Sequence, residues 1–266
     1  MSKINNVILN ALIATFGTWF VTMLGAATVI FFKKPNQKIL NLMLGFAAGV
    51  MIAASFWSLL QPAAEHAELY LNTPPWLITT IGFLCGAIFI WISDKVVRYT
   101  QNRTNEINYK FNRIVMLILS ITLHNIPEGL AVGVAFGALN GENFTLEGLM
   151  GAVTIAIGIG LQNFPEGAAV SLPLRREGYS RRKCFLLGQA SGMVEPVAGL
   201  IGSLTVVYIQ TLLPFALSFA AGAMILVAVH ELIPECQSNN QAHPYFATMG
   251  IISGFAVMML LDVMLG

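Results

Sequence analysis

Eight apolar runs, each long enough to cross a membrane, divide the 266 residues of this chain. They lie at 7–32, 38–60, 76–97, 111–137, 147–173, 184–208, 211–234 and 245–265, and we number them spans 1 to 8. A helix needs roughly 20 apolar residues to cross the hydrocarbon core. Only 10% of the residues are charged, against about 25% in soluble domains. We therefore predict an all-α polytopic membrane protein, with residues 1–266 forming a single transmembrane domain.

Lysine and arginine residues lie on one side of these predicted spans. The segments that join spans 1 to 2, 3 to 4 and 5 to 6, with their flanks, hold every basic residue except Lys3. Cytoplasmic loops carry such an excess, so the sequence predicts both termini outside the cytoplasm. Short loops favour a prokaryotic inner membrane. The lipid bilayer is the expected partner, and a net charge of +1 does not point to nucleic acid.

A repeat links the two halves of the chain. Phe46–Ile52 in span 2 and Phe219–Ile225 in span 7 share the pattern Phe-Ala-Ala-Gly-x-Met-Ile. The two spans run in opposite directions in the predicted topology, which favours an inverted repeat in a 3+2+3 arrangement with a site near the midplane. A chance likeness of two small-residue helix faces is the alternative. Small residues at four-residue spacing, as in Gly129, Gly133 and Gly137, predict close helix packing.

Two short motifs inside spans 4 and 5 carry the polar chemistry. His124-Asn-Ile-Pro-Glu-Gly129 and Gln162-Asn-Phe-Pro-Glu-Gly167 share the pattern His/Gln-Asn-x-Pro-Glu-Gly. Residues three and four apart are neighbours on a helix surface, so each glutamate lies between two ligand-capable side chains. Two such helices facing each other predict two adjacent cages with shared glutamates. Bridged ions of this kind sit about 3.5–4 Å apart.

The predicted ligands are one imidazole, three amides and three carboxylates. They are His124, Asn125, Glu128, Gln162, Asn163, Glu166 and, from span 6, Glu195. Ionisable residues at membrane depth are functional candidates, although protonated glutamates bonded to a neighbouring helix are the alternative. Mixed nitrogen and oxygen ligands suit zinc, iron(II), manganese and, as a mimic, cadmium. They also suit transport, in which an ion must be released again.

These motifs resemble those of the ZIP family of divalent metal transporters. The continuation from Gly167 to Gly178 and the string Ser191–Val197 are similar to its GufA-type branch. The resemblance implies eight spans and a binuclear transport site made of the ligands named above, with the thioether of Met51 beside it. Many members have histidine where this chain has Gln162, so the site has one imidazole fewer.

Further polar residues fall near the ends of the predicted pathway. His230 and Glu231 resemble the family's inner exit ligands, and Glu235 shares a helix face with Glu231. At the outer end of span 2, the candidates for an entrance are Ser58, Glu65, His66 and Glu68. Asp262 and His243 are expected at an interface or in a loop.

The resulting hypothesis is a transporter that moves divalent metal ions, zinc first among them, into the cytoplasm, and not an enzyme. No Gly-x-x-x-x-Gly-Lys loop is present in the sequence, so direct use of ATP is not expected. The metal is cargo, and no resident cofactor is expected. An intramembrane metal-dependent hydrolase is the alternative, and a homodimer is left open.

Overall fold

A computed structural model describes residues 2–31, 36–102, 109–139, 145–176, 178–237 and 245–265. Only the backbone is described for residues 2–5, 97–98, 100–102, 109–121 and 176. Every regular element in the described residues is helical, which confirms the all-α class. The helices are α1 Ser2–Ala27, α2 Gln37–Ala54, α3 Gln61–Tyr70, α4 Pro75–Asn102, α5 Tyr109–Gly137, α6 Leu146–Arg176, α7 Arg181–Ser191, α8 Val194–Tyr208, α9 Leu213–Val227, α10 Ile233–Gln237 and α11 Tyr245–Leu265.

Several of these helices join into longer rods that hold the predicted spans. Within the described residues, seven segments are long and apolar enough to cross a membrane. They are Asn6–Ile30, Gln37–Tyr70, Pro75–Val96, Leu146–Arg175, Arg181–Tyr208, Gln210–Gln237 and Tyr245–Leu265. The predicted span 4 lies in α5, which is 29 residues long. The protein is therefore a multi-pass membrane protein.

Side-chain caps fix the starts of two helices. The Asn36 side chain accepts a hydrogen bond from the Lys38 backbone N–H at 3.0 Å, at the start of α2. The Ser180 hydroxyl accepts one from the Lys183 backbone N–H at 3.3 Å, at the start of α7. The first N–H groups of a helix have no partner within it, so such side chains set where the helix begins.

The repeat seen in the sequence extends into the backbone. A π-helical turn, Ser55–Leu60, joins α2 to α3, and another, Ala228–Leu232, joins α9 to α10. Each turn begins three residues after the repeated string ends, and a proline follows each of them, Pro62 and Pro234. Proline cannot donate to the carbonyl of the preceding turn, and a π turn is one way to accommodate that loss. Chance likeness of two apolar strings does not explain matched backbone irregularities.

The packing of the spans has the same twofold pattern. Span 2 packs most extensively on span 8, span 3 on span 7, span 4 on span 6, and span 1 on span 5. An inverted repeat relates span 1 to span 6, span 2 to span 7, span 3 to span 8 and span 4 to span 5. This relation exchanges the pair 2–8 with the pair 3–7, and the pair 4–6 with the pair 1–5. Spans 1, 4, 5 and 6 form one bundle, the site bundle. Spans 2, 3, 7 and 8 form the other, the outer bundle.

Glycines lie at the closest approaches within these pairs. A Cβ built on Gly133 of span 4 would lie 2.6 Å from the Cα of Gly199 in span 6. A Cβ on Gly49 of span 2 would lie 2.7 Å from the backbone nitrogen of Phe255 in span 8. Neither position has room for a side chain. The stripes of small residues are therefore packing surfaces, as the sequence predicts.

Candidate metal site

The predicted ligands of spans 4, 5 and 6 are all buried in the site bundle. Their exposed fractions are 6% for His124, 2% for Asn125, 0% for Glu128, 0% for Gln162, 1% for Asn163, 7% for Glu166 and 0% for Glu195. Both motif helices continue through their internal prolines, Pro127 and Pro165. Among the side chains that the structure describes, no lysine or arginine pairs with these three buried carboxyl groups. Buried carboxylates are costly unless a proton or a cation compensates them.

Hydrogen bonds join the two motifs to each other and to span 6. The Gln162 Nε2 group donates to Glu128 Oε1 at 2.7 Å, which ties span 5 to span 4. The Asn163 Nδ2 group donates to Glu195 Oε2 at 2.9 Å, which ties span 5 to span 6. The carboxyl group of Glu128 is also close enough to those of Glu166 and Glu195 to interact electrostatically. The fold thus brings the three carboxyl groups into one buried cluster.

All three amides of this cluster use their nitrogen to bind protein acceptors. The Asn125 Nδ2 group donates to the Ser191 carbonyl at 2.9 Å. The Asn163 Nδ2 group has the Thr18 carbonyl, at 3.3 Å, as a second acceptor beside Glu195. A carbonyl or carboxylate oxygen can only accept, so the nitrogen of each amide must face it. The oxygen of each amide is then free to bind something else.

Within the described part of the chain, five buried oxygens of the cluster have no hydrogen-bond partner. They are Asn125 Oδ1, Glu128 Oε2, Gln162 Oε1, Asn163 Oδ1 and Glu166 Oε1. Buried polar atoms are nearly always paired, and exceptions require an explanation. Unpaired amide and carboxylate oxygens beside neighbouring negative charges are a suitable environment for a cation.

The side chains of the cluster that could bind a cation include amides as well as carboxylates. Among the described residues, no group of three or more His, Cys, Asp or Glu side chains lies close enough together to hold one ion. The unpaired amide oxygens of Asn125, Gln162 and Asn163 are therefore candidate ligands beside the carboxyl groups. The bridged pair of ions stays a prediction.

Span 7 reaches the site from the outer bundle. His124 Nε2 lies 2.9 Å from Glu231 Oε1, an ion-pair distance. The Glu231 side chain is 23% exposed, and its carboxyl group interacts electrostatically with Glu166. Glu231 therefore lies between the buried cluster and the surface. This placement agrees with a position along a pathway.

His230 and Glu235, on either side of Glu231 along span 7, are both exposed. The His230 side chain is 52% exposed, and its Nε2 lies 3.7 Å from Asp94 Oδ2 of span 3. Glu235 is exposed one turn further along span 7. Sequence reasoning did not single out Asp94, although a carboxylate inside a predicted span was a usable signal.

The candidates for an entrance do not form one buried group as the predicted ligands do. The Ser58 hydroxyl donates to Asp262 Oδ1 at 2.5 Å, while Glu65 is exposed and accepts from Gln61 Nε2 at 3.0 Å. His66 stacks on the Tyr70 ring with centroids 5.2 Å apart. Of these candidates, Ser58 alone is buried.

Three further expectations have different outcomes. Asp262, expected at an interface or in a loop, instead lies within α11 and is only 8% exposed, because Ser58 provides a partner for its carboxyl group inside the protein. His243 lies outside the described residues. Met51 is fully buried in the main apolar core, and its role as a ligand stays a prediction.

The chain is similar to known proteins along nearly its whole length. A family model described as ZIP zinc transporter matches residues 6–113 and 100–262. Zinc transporter ZIP11 of Homo sapiens is 37% identical, over 97% of this chain and 98% of that protein. Zinc transporter GufA of Myxococcus xanthus is 35% identical, over 96% and 98%. Zinc transporter ZupT of Clostridium perfringens is 32% identical, over 96% and 95%. The hydrolase alternative finds no support among these relatives.

Proposed function

The chain belongs to the ZIP family of zinc transporters, and on this premise we propose that it carries zinc and related divalent ions into the cytoplasm. The resemblance drawn from the motifs is thereby confirmed, and the chain is a transporter and not an enzyme. One observation carries the proposal for the site. Where the two motifs meet, five buried oxygens have no hydrogen-bond partner among the described residues, three from amides and two from the three neighbouring carboxyl groups.

The proposed path follows polar side chains from the Ser58–Asp262 pair through the buried cluster to span 7. An ion arriving from the outside passes the Ser58–Asp262 pair, loses its water to the oxygens of the buried cluster, and leaves past Glu231 and His230. Moving one positive charge inward across a membrane gains about 2.3 kcal/mol per 100 mV. An inside-negative potential therefore favours uptake of a divalent ion without ATP. The ion is cargo in this scheme, and we propose no resident cofactor.

The division into two bundles supports a carrier. The ligands of spans 4, 5 and 6 all belong to the site bundle, whereas Glu231 and His230 belong to the outer bundle. Movement of one bundle against the other would separate His124 from Glu231 and change the side from which the cluster is reached. Rocking of one repeat against the other around a midplane site is a common transport mechanism.

Orientation and assembly are part of the proposal. The distribution of lysine and arginine supports both termini outside the cytoplasm, with spans 1 to 2, 3 to 4 and 5 to 6 joined inside. We propose a prokaryotic inner membrane as the location, because the loops of the chain are short. The homodimer stays a prediction.

Metal uptake by proteoliposomes tests the proposed function. We expect saturable uptake of zinc by the wild-type protein, with cadmium, iron(II) and manganese offered in turn to rank the ions. Uptake should fall to the level of empty liposomes in Glu166→Ala, because that variant loses a charge and an unpaired oxygen of the cluster. Glu147→Ala is the matched control, since Glu147 is an exposed glutamate at the start of the same helix.

The contrary results are equally specific. If folded wild-type protein moved none of these ions, the chain would not be a metal transporter. If Glu166→Ala retained full uptake, the ion would pass by a route other than the buried cluster.

A further inference from the structure

Span 1 contacts the buried cluster through two threonines that the motifs do not include, Thr18 and Thr22. Thr15, Thr18 and Thr22 recur along one side of α1 and are all buried, with exposed fractions of 0%, 3% and 1%. Span 1 packs against spans 5 and 6, which supply Asn163 and Glu195. A side chain on this helix can therefore reach the site from behind.

Thr22 and Thr18 contact two of the predicted ligands directly. The Thr22 hydroxyl lies 3.3 Å from Glu195 Oε1, within hydrogen-bond distance. The Thr18 carbonyl accepts from Asn163 Nδ2 at 3.3 Å. Asn163 Nδ2 also donates to the other Glu195 oxygen, Oε2, at 2.9 Å. Both oxygens of Glu195 are thus held, one by span 1 and one by an amide that span 1 also holds.

Span 1 also bridges a break in span 6. The helices α7 and α8 are separated at Gly192 and Met193, and Glu195 lies in the first turn after the break. The Trp19 indole N–H donates to the Gln189 carbonyl, at 2.9 Å, just before the break. Helix ends leave backbone groups without partners, so a donor from span 1 stabilises this end of α7. After the break, the Thr22 hydroxyl contacts Glu195, the acidic residue in the first turn of α8.

The glycine in the break leaves space for this contact. A Cβ built on Gly192 would lie 2.9 Å from Glu195 Oε1 and 3.0 Å from Thr22 Oγ1. A larger residue in place of Gly192 would push the Thr22 hydroxyl and the Glu195 carboxyl group apart. The break, the glycine and the threonine together hold Glu195 in one orientation.

We propose that Thr22 is a positioning residue of the metal site, which holds Glu195 and, through it, turns the free oxygen of Asn163 toward the ion. This inference rests on the proposed function and names a helix outside the two motifs as part of the site. Groups that orient metal ligands typically contribute about 10–100-fold to metal affinity. Loss of the Thr22 hydroxyl should therefore lower the affinity for the ion and leave the amount of folded transporter largely unchanged.

The test compares three variants of the full chain in proteoliposomes and in detergent. Thr22→Val keeps the shape of the side chain and removes its hydroxyl. Thr22→Ser keeps the hydroxyl. Thr15→Val is the matched control, because the Thr15 hydroxyl is equally buried and donates only to its own helix, to the carbonyls of Ala11 and Leu12 at 2.9 and 3.1 Å.

We expect Thr22→Val to raise the KM for zinc uptake about tenfold, with a similar loss in zinc affinity by equilibrium dialysis. The maximal rate per folded transporter should stay within about twofold of wild type, because the variant weakens an interaction that positions bound ion. Thr22→Ser should restore the wild-type KM, and Thr15→Val should not change it. Gly192→Ala should raise the KM in the same direction as Thr22→Val.

Two results would overturn the inference. One is a Thr22→Val variant whose KM and zinc affinity equal those of Thr15→Val. The other is a lower yield of folded protein with unchanged KM, which would make Thr22 merely a packing residue. Failure of the wild type to take up any metal would instead contradict the proposed function, and the dialysis measurement would still decide whether Thr22 affects binding.

Discussion

We expect the Glu128→Gln variant to lose measurable zinc binding while its helical content stays that of the wild type. Glu128 is fully buried, and its two oxygens have different surroundings. Oε1 accepts from Gln162 Nε2 at 2.7 Å, and Oε2 has no hydrogen-bond partner among the residues that the structure describes. Glutamine has nearly the same shape but carries no charge and only one acceptor oxygen.

The expected effect is large because a glutamine at this position cannot both accept a hydrogen bond from Gln162 and present an oxygen to the ion. If its oxygen accepts from Gln162, its NH₂ group points toward the ion; if both amides are reversed, the NH₂ group of Gln162 points toward the ion instead. In either orientation the cluster also loses one of three neighbouring carboxyl groups. Because supporting groups alone typically contribute about 10–100-fold, we expect loss of a ligand to weaken zinc binding by more than about 100-fold.

Isothermal titration of the purified protein with zinc measures this effect. Glu147→Gln provides the control, because that glutamate is exposed and lies in the first turn of α6, away from the motif in the middle of that helix. Wild-type affinity in Glu128→Gln would mean that the ion binds outside the cluster. Loss of helical content would show a folding defect instead, and circular dichroism distinguishes the two.

The second large effect is expected from Gly133→Ala, which we predict to prevent spans 4 and 6 from packing. A Cβ at this position would lie 2.6 Å from the Cα and 2.7 Å from the carbonyl carbon of Gly199. Both atoms belong to backbone, so no side chain can move aside. Overpacking generally destabilises by about 1–3 kcal/mol and occasionally more, and here two helices that carry metal ligands must separate.

Gly17→Ala is the matched control for this substitution. Nothing lies within 4 Å of a Cβ built on Gly17, which faces outward from span 1. Alanine is better than glycine in a helix interior by up to about 1 kcal/mol, so Gly17→Ala should be neutral or slightly stabilising. Thermal melting followed by size-exclusion chromatography should show a lower midpoint for Gly133→Ala alone. Equal midpoints for the two variants would contradict the packing described for spans 4 and 6.

Much of the fold could be predicted from the sequence, because its strongest signals are local. Apolar runs separated by polar segments predict membrane helices, and a four-residue spacing of glycine predicts close packing. The repeated strings at Phe46–Ile52 and Phe219–Ile225 were sufficient to suggest a twofold arrangement. The π-helical turns after them were not predictable, since they depend on how each helix accommodates Pro62 and Pro234 against its neighbours.

The candidate site shows the same division between local and distant information. The spacing within each motif placed His124, Glu128 and their counterparts on shared helix faces. It could not show that Gln162 donates to Glu128, because that bond joins residues 34 positions apart. Thr22 was missed for a similar reason. In the sequence it is one polar residue in an apolar run, and its contact with Glu195 exists only because span 1 packs against the break in span 6.

Anomalous diffraction from crystals of the wild-type protein grown with cadmium would show whether the buried cluster holds the ion. We expect an anomalous peak between spans 4, 5 and 6, with Glu128, Glu166 and at least one amide oxygen among the ligands. Cadmium is a suitable probe because it mimics zinc at mixed nitrogen and oxygen sites and scatters strongly. A peak held only by residues outside the two motifs, with none in the buried cluster, would contradict the account.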